Sequence, residues 1–272
     1  MKRIAVMQDI SGLGRCSLAA ALPVLSVMGV QCLPVPSAIY TNQTGFRRFA
    51  SLDCEALLGE FPALWQEHNV RLDGIYTGFM ATHAQLRAAQ AMIDAFRHSR
   101  TLVLIDPVMG DNGSCYPGFD DALCSAITNF AKQADVITPN VTEAFLLTGG
   151  DIHAFMRAPP DEQKRMLRGV CESLPQRKIV ITGWRRGNHV CNVAWDDGQF
   201  TVHASPAIAG SYSGTGDLFA SAVCGGLVRG GSLNTAIQRA ARFLEAALQS
   251  AARAGLPEEE GVPFELHLKE LL

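Results

Sequence analysis

Six short apolar segments, separated by stretches with helical periodicity, do most to limit the folds open to this chain. They are Arg3–Met7, Gln31–Val35, Gly74–Thr77, Leu102–Asp106, Asp135–Thr138 and Lys178–Thr182. Segments that are apolar on both sides suit strands buried on both faces, as in a parallel sheet covered by helices. Between them, Thr82-x-x-Gln85 reads as a capping box for a helix with Leu86, Ala89, Ile93 and Phe96 along one face. Ser232 reads as the cap of a late helix that points Leu233, Ile237, Ala240, Leu244 and Leu248 inward, with Gly255 and Pro257 ending it. This alternation implies right-handed crossovers and an α/β fold of three layers, α/β/α, around a mostly parallel central sheet. Between Asn188 and His203 two strand-like runs flank Asp197-Gly198, which predicts a hairpin and a small antiparallel extension. There is no repeat, low-complexity tract or Gly/Ser linker, and the polar stretch Ala158–Lys164 reads as a loop entering a surface helix. Residues 1–272 are therefore expected to form one domain.

Composition removes several classes. Apolar residues make up 48% of the chain, too much for a disordered protein. Lys and Arg number 23 against 26 Asp and Glu, so no basic excess favours nucleic acid. Mean hydropathy is +0.12. The longest apolar run, Leu18–Val30, is broken by Pro23, Ser26 and Gly29 and is too short to cross a bilayer. No export signal is read at the N-terminus, so a cytoplasmic location with free thiols is expected. The eight cysteines contain no C-x-x-C pair, which argues against zinc, and the seven histidines show no metal or triad spacing. Asn42-Gln43-Thr44 and Asn140-Val141-Thr142 match the glycosylation pattern by chance. Met7, Met28, Met80 and Met109 read as core filler.

In open α/β sheets, ligands bind beyond the carboxyl ends of the strands. Here those ends carry Thr77, Asp106, Thr138 and Thr182, each followed by Gly or Pro. Three motifs offer chemistry. In Gly214-Thr215-Gly216-Asp217, glycines enter an apolar helix, where unpaired N–H groups and the helix dipole can hold an anion without a lysine. Asp217 places a carboxylate in the first turn, or serves only as a charge partner of its own helix. Asp106-Pro107-Val108-Met109-Gly110-Asp111 sets two acids around a glycine loop after a buried strand, which suits a magnesium-bridged phosphate. A turn capped by Asp111 would explain that residue but not Asp106. In Thr138-Pro139-Asn140-Val141-Thr142-Glu143, capping is a complete structural reading of Asn140 and Glu143. There is no P-loop, and Ser17 stands where G-x-G-x-x-G requires its third glycine.

Taken in order with Gln8-Asp9-Ile10-Ser11-Gly12 and Thr41-Asn42-Gln43-Thr44, these motifs make the chain resemble, over almost its full length, the pyridoxal kinases of the ribokinase-like superfamily. The resemblance implies a ribokinase-like fold and ATP-dependent phosphorylation of the 5′-hydroxyl of a vitamin B6 form such as pyridoxal, pyridoxine or pyridoxamine. It implies that Asp217 acts as the general base, and that the Gly214, Thr215 and Gly216 backbone forms the anion hole. It implies that Asp106, Asp111 and Glu143 organise magnesium and ATP, with Thr138, Asn140, Thr182 and Thr215 on the nucleotide side. Asp9, Ser11 and Thr44 would face the ring, with Phe79 in the wall. Potassium is a candidate second ion, a homodimer the implied assembly, and neither nucleic acid nor membrane a partner. Phosphoryl transfer through a loose transition state needs alignment and charge neutralisation more than a strong base, so a near-normal carboxylate at Asp217 would suffice.

The chain departs from that pattern at several positions. Many pyridoxal kinases carry Ser at the position of Asp9, His at Gln43, Tyr at Phe79 and a second hydroxyl at Gly183. Asp9-x-Ser11-Gly12 resembles instead the opening motif of the hydroxymethylpyrimidine kinases of the same superfamily. A non-catalytic B6-binding protein on the same fold is the alternative from another class. Thr41–Phe46 and Pro107–Tyr116 read as flaps that exclude water, the second carrying Cys115, read as a passive thiol. Arg185 and Arg186 approach ATP or form a solvated pair.

Overall fold

The computed structural model describes all of residues 1–272. The chain opens with strand β1 (Lys2–Leu13), helix α1 (Ser17–Val27), β2 (Val30–Asn42) and β3 (Ser51–Asp53). Helices α2 (Glu55–Leu58) and α3 (Glu60–Glu67) lead to β4 (Gly74–Thr77), α4 (His83–Phe96) and β5 (Leu102–Ile105). A two-residue hairpin, β6 (Gly110–Asp111) and β7 (Ser114–Cys115), precedes α5 (Asp121–Ala131), β8 (Val136–Ile137) and α6 (Val141–Thr148). Then come α7 (Ile152–Arg157), α8 (Pro160–Ser173), β9 (Lys178–Arg186), β10 (His189–Asp196) and β11 (Gln199–Pro206). The last elements are α9 (Thr215–Val228), α10 (Leu233–Ala254) and the 3-10 turns Glu258–Glu260 and Phe264–Leu271. No helix is long and apolar enough to cross a membrane.

Nine strands form one sheet in the order β11-β10-β9-β8-β5-β4-β1-β2-β3, and the six from β9 to β2 are parallel. Alternate residues of each strand feed separate cores. Ile4, Val6, Tyr76, Leu104, Val136 and Val180 pack with α1, α9 and α10 on one face. Ala5, Met7, Ile75, Val103, Ile105, Ile137 and Ile179 pack against α4–α6 and α8 on the other. A core on each face is the three-layer α/β/α arrangement, with a mostly parallel sheet and an antiparallel margin, as expected for a ribokinase-like fold.

The predicted hairpin forms at Asp197-Gly198, both residues in the left-handed region (φ 49° and 89°). The opposite margin also carries an antiparallel strand, β3, paired with Ala38–Tyr40 of β2. The sequence pattern did not announce it, because all three of its residues are exposed. Strand lengths differ too. β1 and β2 stay paired far beyond Met7 and Val35, through a register shift between Gln8 and Ile10 to Leu13 and Asn42. Polar residues such as Gln8, Asp9 and Ser11 are buried there while the backbone ladder continues, so periodicity stops before the strand does. β9 likewise runs through Gly183 to Arg186, so Thr182 does not end it.

Helix signals fare well at α10, where Ser232 accepts from the Thr235 N–H and Gly255 closes in the left-handed conformation (φ 62°). At α4 the box is displaced. Thr82 caps the Gln85 N–H, but Gln85 Oε1 accepts from Ala81, one residue earlier than the reciprocal bond requires.

Candidate functional site

Parallel strands deliver one row of residues to their shared carboxyl edge. Met7 lies level with Thr77, Thr77 with Ile105 and Ile105 with Ile137. The next row is therefore Gln8, Gly78, Asp106 and Thr138, with Thr182 bridged to Asn140 alongside. Gly78 makes room for Gln8: a Cβ there would lie 2.4 Å from Gln8 Nε2. That glycine thus admits a buried side chain at the rim.

Asp106 is buried and accepts from the Thr138 hydroxyl at 3.0 Å. Beyond it, Pro139 ends β8 and Asn140 caps α6 in a complete capping box. Asn140 Oδ1 accepts from the Glu143 N–H at 2.9 Å, and Glu143 Oε2 accepts from the Asn140 N–H at 2.8 Å. The cap also builds the site. Glu143 Oε1 accepts from the Met109 N–H at 3.1 Å, and Asn140 Nδ2 donates to the Gly110 carbonyl at 2.8 Å. The Asp106–Gly110 loop is therefore pinned to the start of α6. Asn140→Ala is expected to lower stability by about 1–2 kcal/mol, the usual cost of losing a cap, as read by urea unfolding.

Across the rim, α9 begins at Gly214. Its φ of 79° and the Arg15 carbonyl, which would lie 2.0 Å from a Cβ, exclude any other residue. The first intrahelical bond runs from the Leu218 N–H to the Gly214 carbonyl. The N–H groups of Thr215, Gly216 and Asp217 lie ahead of it and are available to an anion. Thr215 Oγ1 is engaged with the Tyr212 carbonyl at 3.1 Å.

Asp217 does more than balance its own helix. Its Oδ2 accepts from the Ser17 N–H at 2.9 Å, while the Ser17 hydroxyl donates to Asp9 Oδ1 at 2.6 Å. Asp9 Oδ2 accepts from Ser11 at 3.2 Å. Ser17 thus joins the two acids, with a left-handed backbone (φ 47°) that a non-glycine residue holds only at a cost.

The hairpin β6–β7 lies against the start of α6, where the Gly113 N–H donates to Thr142 Oγ1 at 2.9 Å. Asp111 is exposed and its carboxylate turns back to the N–H and side chain of Asn112. It does not join Asp106 and Glu143, and no group of three or more His, Cys, Asp or Glu side chains converges as a metal cluster. Thr44 is exposed, as is Arg185, and Arg186 stacks on Trp184 at 4.9 Å. Phe79 meets Phe119 at 5.7 Å, and Phe119 meets Tyr116, so an aromatic run leads from β4 to the base of the hairpin. Cys115 is not an isolated thiol: its sulfur lies 3.6 Å from that of Cys124.

The electrostatics are those of acids crowded together without a cation. None of Asp9, Asp106, Glu143 and Asp217 has a salt-bridge partner. Burial first, and the Asp217 charge second, push Asp106 up to about 8 against the Thr138 hydrogen bond. Burial lifts Asp217 to about 7, with the Ser17 N–H opposing and Asp9 adding to it, so this carboxylate lies above the ordinary range. Burial and Asp106 raise Glu143 well above the carboxylate range, despite its backbone donors. Two buried, unpaired carboxylates fit a magnesium ion that takes its remaining ligands from water and substrate phosphates.

Sequence reasoning missed Ser17, Gln43 and Tyr116. Ser17 was noted only as a missing glycine. Gln43 was noted only as a departure from a motif, yet it is buried and bonded to three other groups. The Tyr116 phenol is pushed up by burial first, then by the charges of Glu143, Asp111, Asp106 and Asp217.

Comparison with known proteins identifies the family and the fold. The sequence model of the family described as phosphomethylpyrimidine kinase matches residues 16–261. A solved structure of a candidate phosphomethylpyrimidine kinase from Bacteroides thetaiotaomicron is 32% identical, with a TM-score of 0.93 over 99% of this chain and 93% of that one. A second crystal form of it, with pyridoxal, is 33% identical with a TM-score of 0.88 over 99% and 95%. A candidate pyridoxal kinase of Schizosaccharomyces pombe is 30% identical over 196 residues, which is 68% of this chain and 56% of that protein. The chain thus spans little more than half of that relative. The hydroxymethylpyrimidine/phosphomethylpyrimidine kinase of Bacillus subtilis is 26% identical over 233 residues, 85% of this chain and 82% of that protein.

Proposed function

The chain belongs to the phosphomethylpyrimidine kinase family, and on that premise we propose that it transfers the terminal phosphoryl group of ATP to the hydroxymethyl group of pyridoxal or a close vitamin B6 relative. The observation that carries this reading is the placement of Asp217 and the free N–H groups of α9 on the same rim as Asp106 and Glu143. Asp217 takes the proton of the attacking hydroxyl. A base held up near 7 is better matched to that task at neutral pH than an ordinary carboxylate. The Thr215 and Gly216 N–H groups receive the charge on the transferring phosphoryl oxygens. Thr138, Asn140, Thr182 and Thr215 border the nucleotide.

Asp106 and Glu143 would hold magnesium, which when bound neutralises phosphate charge. Asp111 joins them only if the hairpin closes and its carboxylate leaves its own turn. Ser11, Thr44 and Phe79 surround the ring, with Asp9 behind Ser11 and Ser17. The whole of residues 1–272 acts as one kinase domain, as a cytoplasmic homodimer.

The ring is the finer part of the proposal. The Bacteroides structure with pyridoxal, 33% identical, supports the B6 choice. The Bacillus relative and Asp9-x-Ser11-Gly12 favour a hydroxymethylpyrimidine as the second reading. Comparing kcat/KM for the two alcohols with ATP decides. Pyridoxal is expected to lead by about tenfold or more, the factor that a net hydrogen bond of about 1.4 kcal/mol provides. A preference of that size for the pyrimidine reverses the assignment, and binding of pyridoxal with no ATP turnover removes the catalytic reading.

A further inference from the structure

We propose that Gln43 is a positioning residue that locks the loop presenting the alcohol to the backbone cradle that receives the phosphoryl group; this rests on the function proposed above. Gln43 is only 8% exposed. Its Nε2 donates to Ser213 Oγ at 3.2 Å and to the Glu259 carbonyl at 3.0 Å, and its Oε1 accepts from the Gly45 N–H at 2.7 Å. Its own N–H donates to the Leu13 carbonyl at 2.9 Å, and its carbonyl accepts from Phe46 at 3.2 Å. Both Nε2 hydrogens are thus committed to protein partners and Oε1 is engaged, so the amide is spent on the chain and not on a ring.

The surroundings are shaped to hold this side chain. A Cβ on Gly14, itself at φ 119°, would lie 2.7 Å from Gln43 Cγ, and one on Gly45 would lie 2.8 Å from Nε2. Ser213 immediately precedes Gly214, whose other side is pressed on the Arg15 carbonyl. The Ser213 N–H donates to the Glu258 carbonyl at 3.0 Å. A Cβ on Gly261 would lie 2.9 Å from both the Ser213 carbonyl and Arg15 Cβ. Four segments, 13–17, 42–46, 213–217 and 258–261, therefore meet at one junction. The Gln43 side chain touches all the others: Gly14 by packing, Ser213 and Glu259 by hydrogen bonds. Thr44 and Gly214 each follow a residue of this junction directly. The alcohol and the phosphate are thus presented by different loops, and Gln43 sets their relative position.

In-line transfer tolerates little misplacement, since an error of about 1 Å can cost about 10²-fold in rate. Gln43→Ala removes the link. Gln43→Glu keeps the shape but sets a carboxylate against the Glu259 carbonyl, with no hydrogen to donate to it. Both variants are measured for kcat, for KM of ATP, and for amide hydrogen exchange of the peptides containing residues 213–217 and 258–261 in the ligand-free full chain. The expected result is a kcat lowered about 10- to 100-fold with KM for ATP within roughly threefold of wild type, and faster exchange in both peptides. Exchange equal to wild type overturns the proposal, as does a lowered melting temperature with kcat unchanged. Should the wild-type chain phosphorylate no ring alcohol, the proposed function fails, and the exchange measurement alone decides whether Gln43 ties the loops together.

Discussion

Asp217→Ala is expected to lower kcat by about 10²–10⁴-fold, the range that a positioned general base contributes. KM for ATP should change little, because the phosphates are held by backbone N–H groups and by the other residues of the rim. Asp217→Asn should be nearly as slow, since the amide keeps the shape and the Ser17 contact but takes up no proton. The wild-type pH profile gives an independent reading. Asp217 acts only when ionised and is held at about 7, so kcat/KM should rise with pH below about 7 and level off above it. A wild-type rate in either variant would show that the alcohol is activated elsewhere.

Asp106→Asn is expected to separate activity from stability. Turnover should fall by about 10²-fold, as charge neutralisation at the phosphates is lost. Stability should move the other way at alkaline pH. Asp106 is raised from 3.8 to about 8 in the folded protein. Between those values the folded state keeps a proton that the unfolded chain has released, so stability falls as pH rises through that window. Asp217 acts with the same sign up to about 7, but less strongly, because its shift is the smaller of the two. The urea midpoint of the ligand-free protein should therefore drop between about pH 4 and about pH 8, and drop less in the variant. Equal slopes would mean that Asp106 titrates normally.

The parts of this molecule legible in the sequence are those governed by short-range pattern. Leu102–Ile105 had to be a buried strand, Ser232 and Asn140 had to cap helices, and Gly214 had to stand where a side chain cannot. What escaped depends on contacts between residues far apart in the chain. β1 continues past Met7 only because β2 stays beside it, so polar residues that read as a loop lie on a ladder. Ser17 looks like an ordinary helix-start serine until Asp9 and Asp217, 200 residues distant, are both found on it. Asp111 shows the converse. Its motif is plain in the sequence, yet a local turn holds its carboxylate away from the other acids.

The junction around Gln43 also bears on how the protein is made. It includes Glu258 and Glu259, and Arg15 is held nearby by an ion pair to Glu265. A chain emerging from the ribosome carries its early loops long before these residues exist. The junction closes only when residues 258–261 fold back onto residues 13–17 and 42–46, so its geometry waits on contacts more than 200 residues apart in the chain.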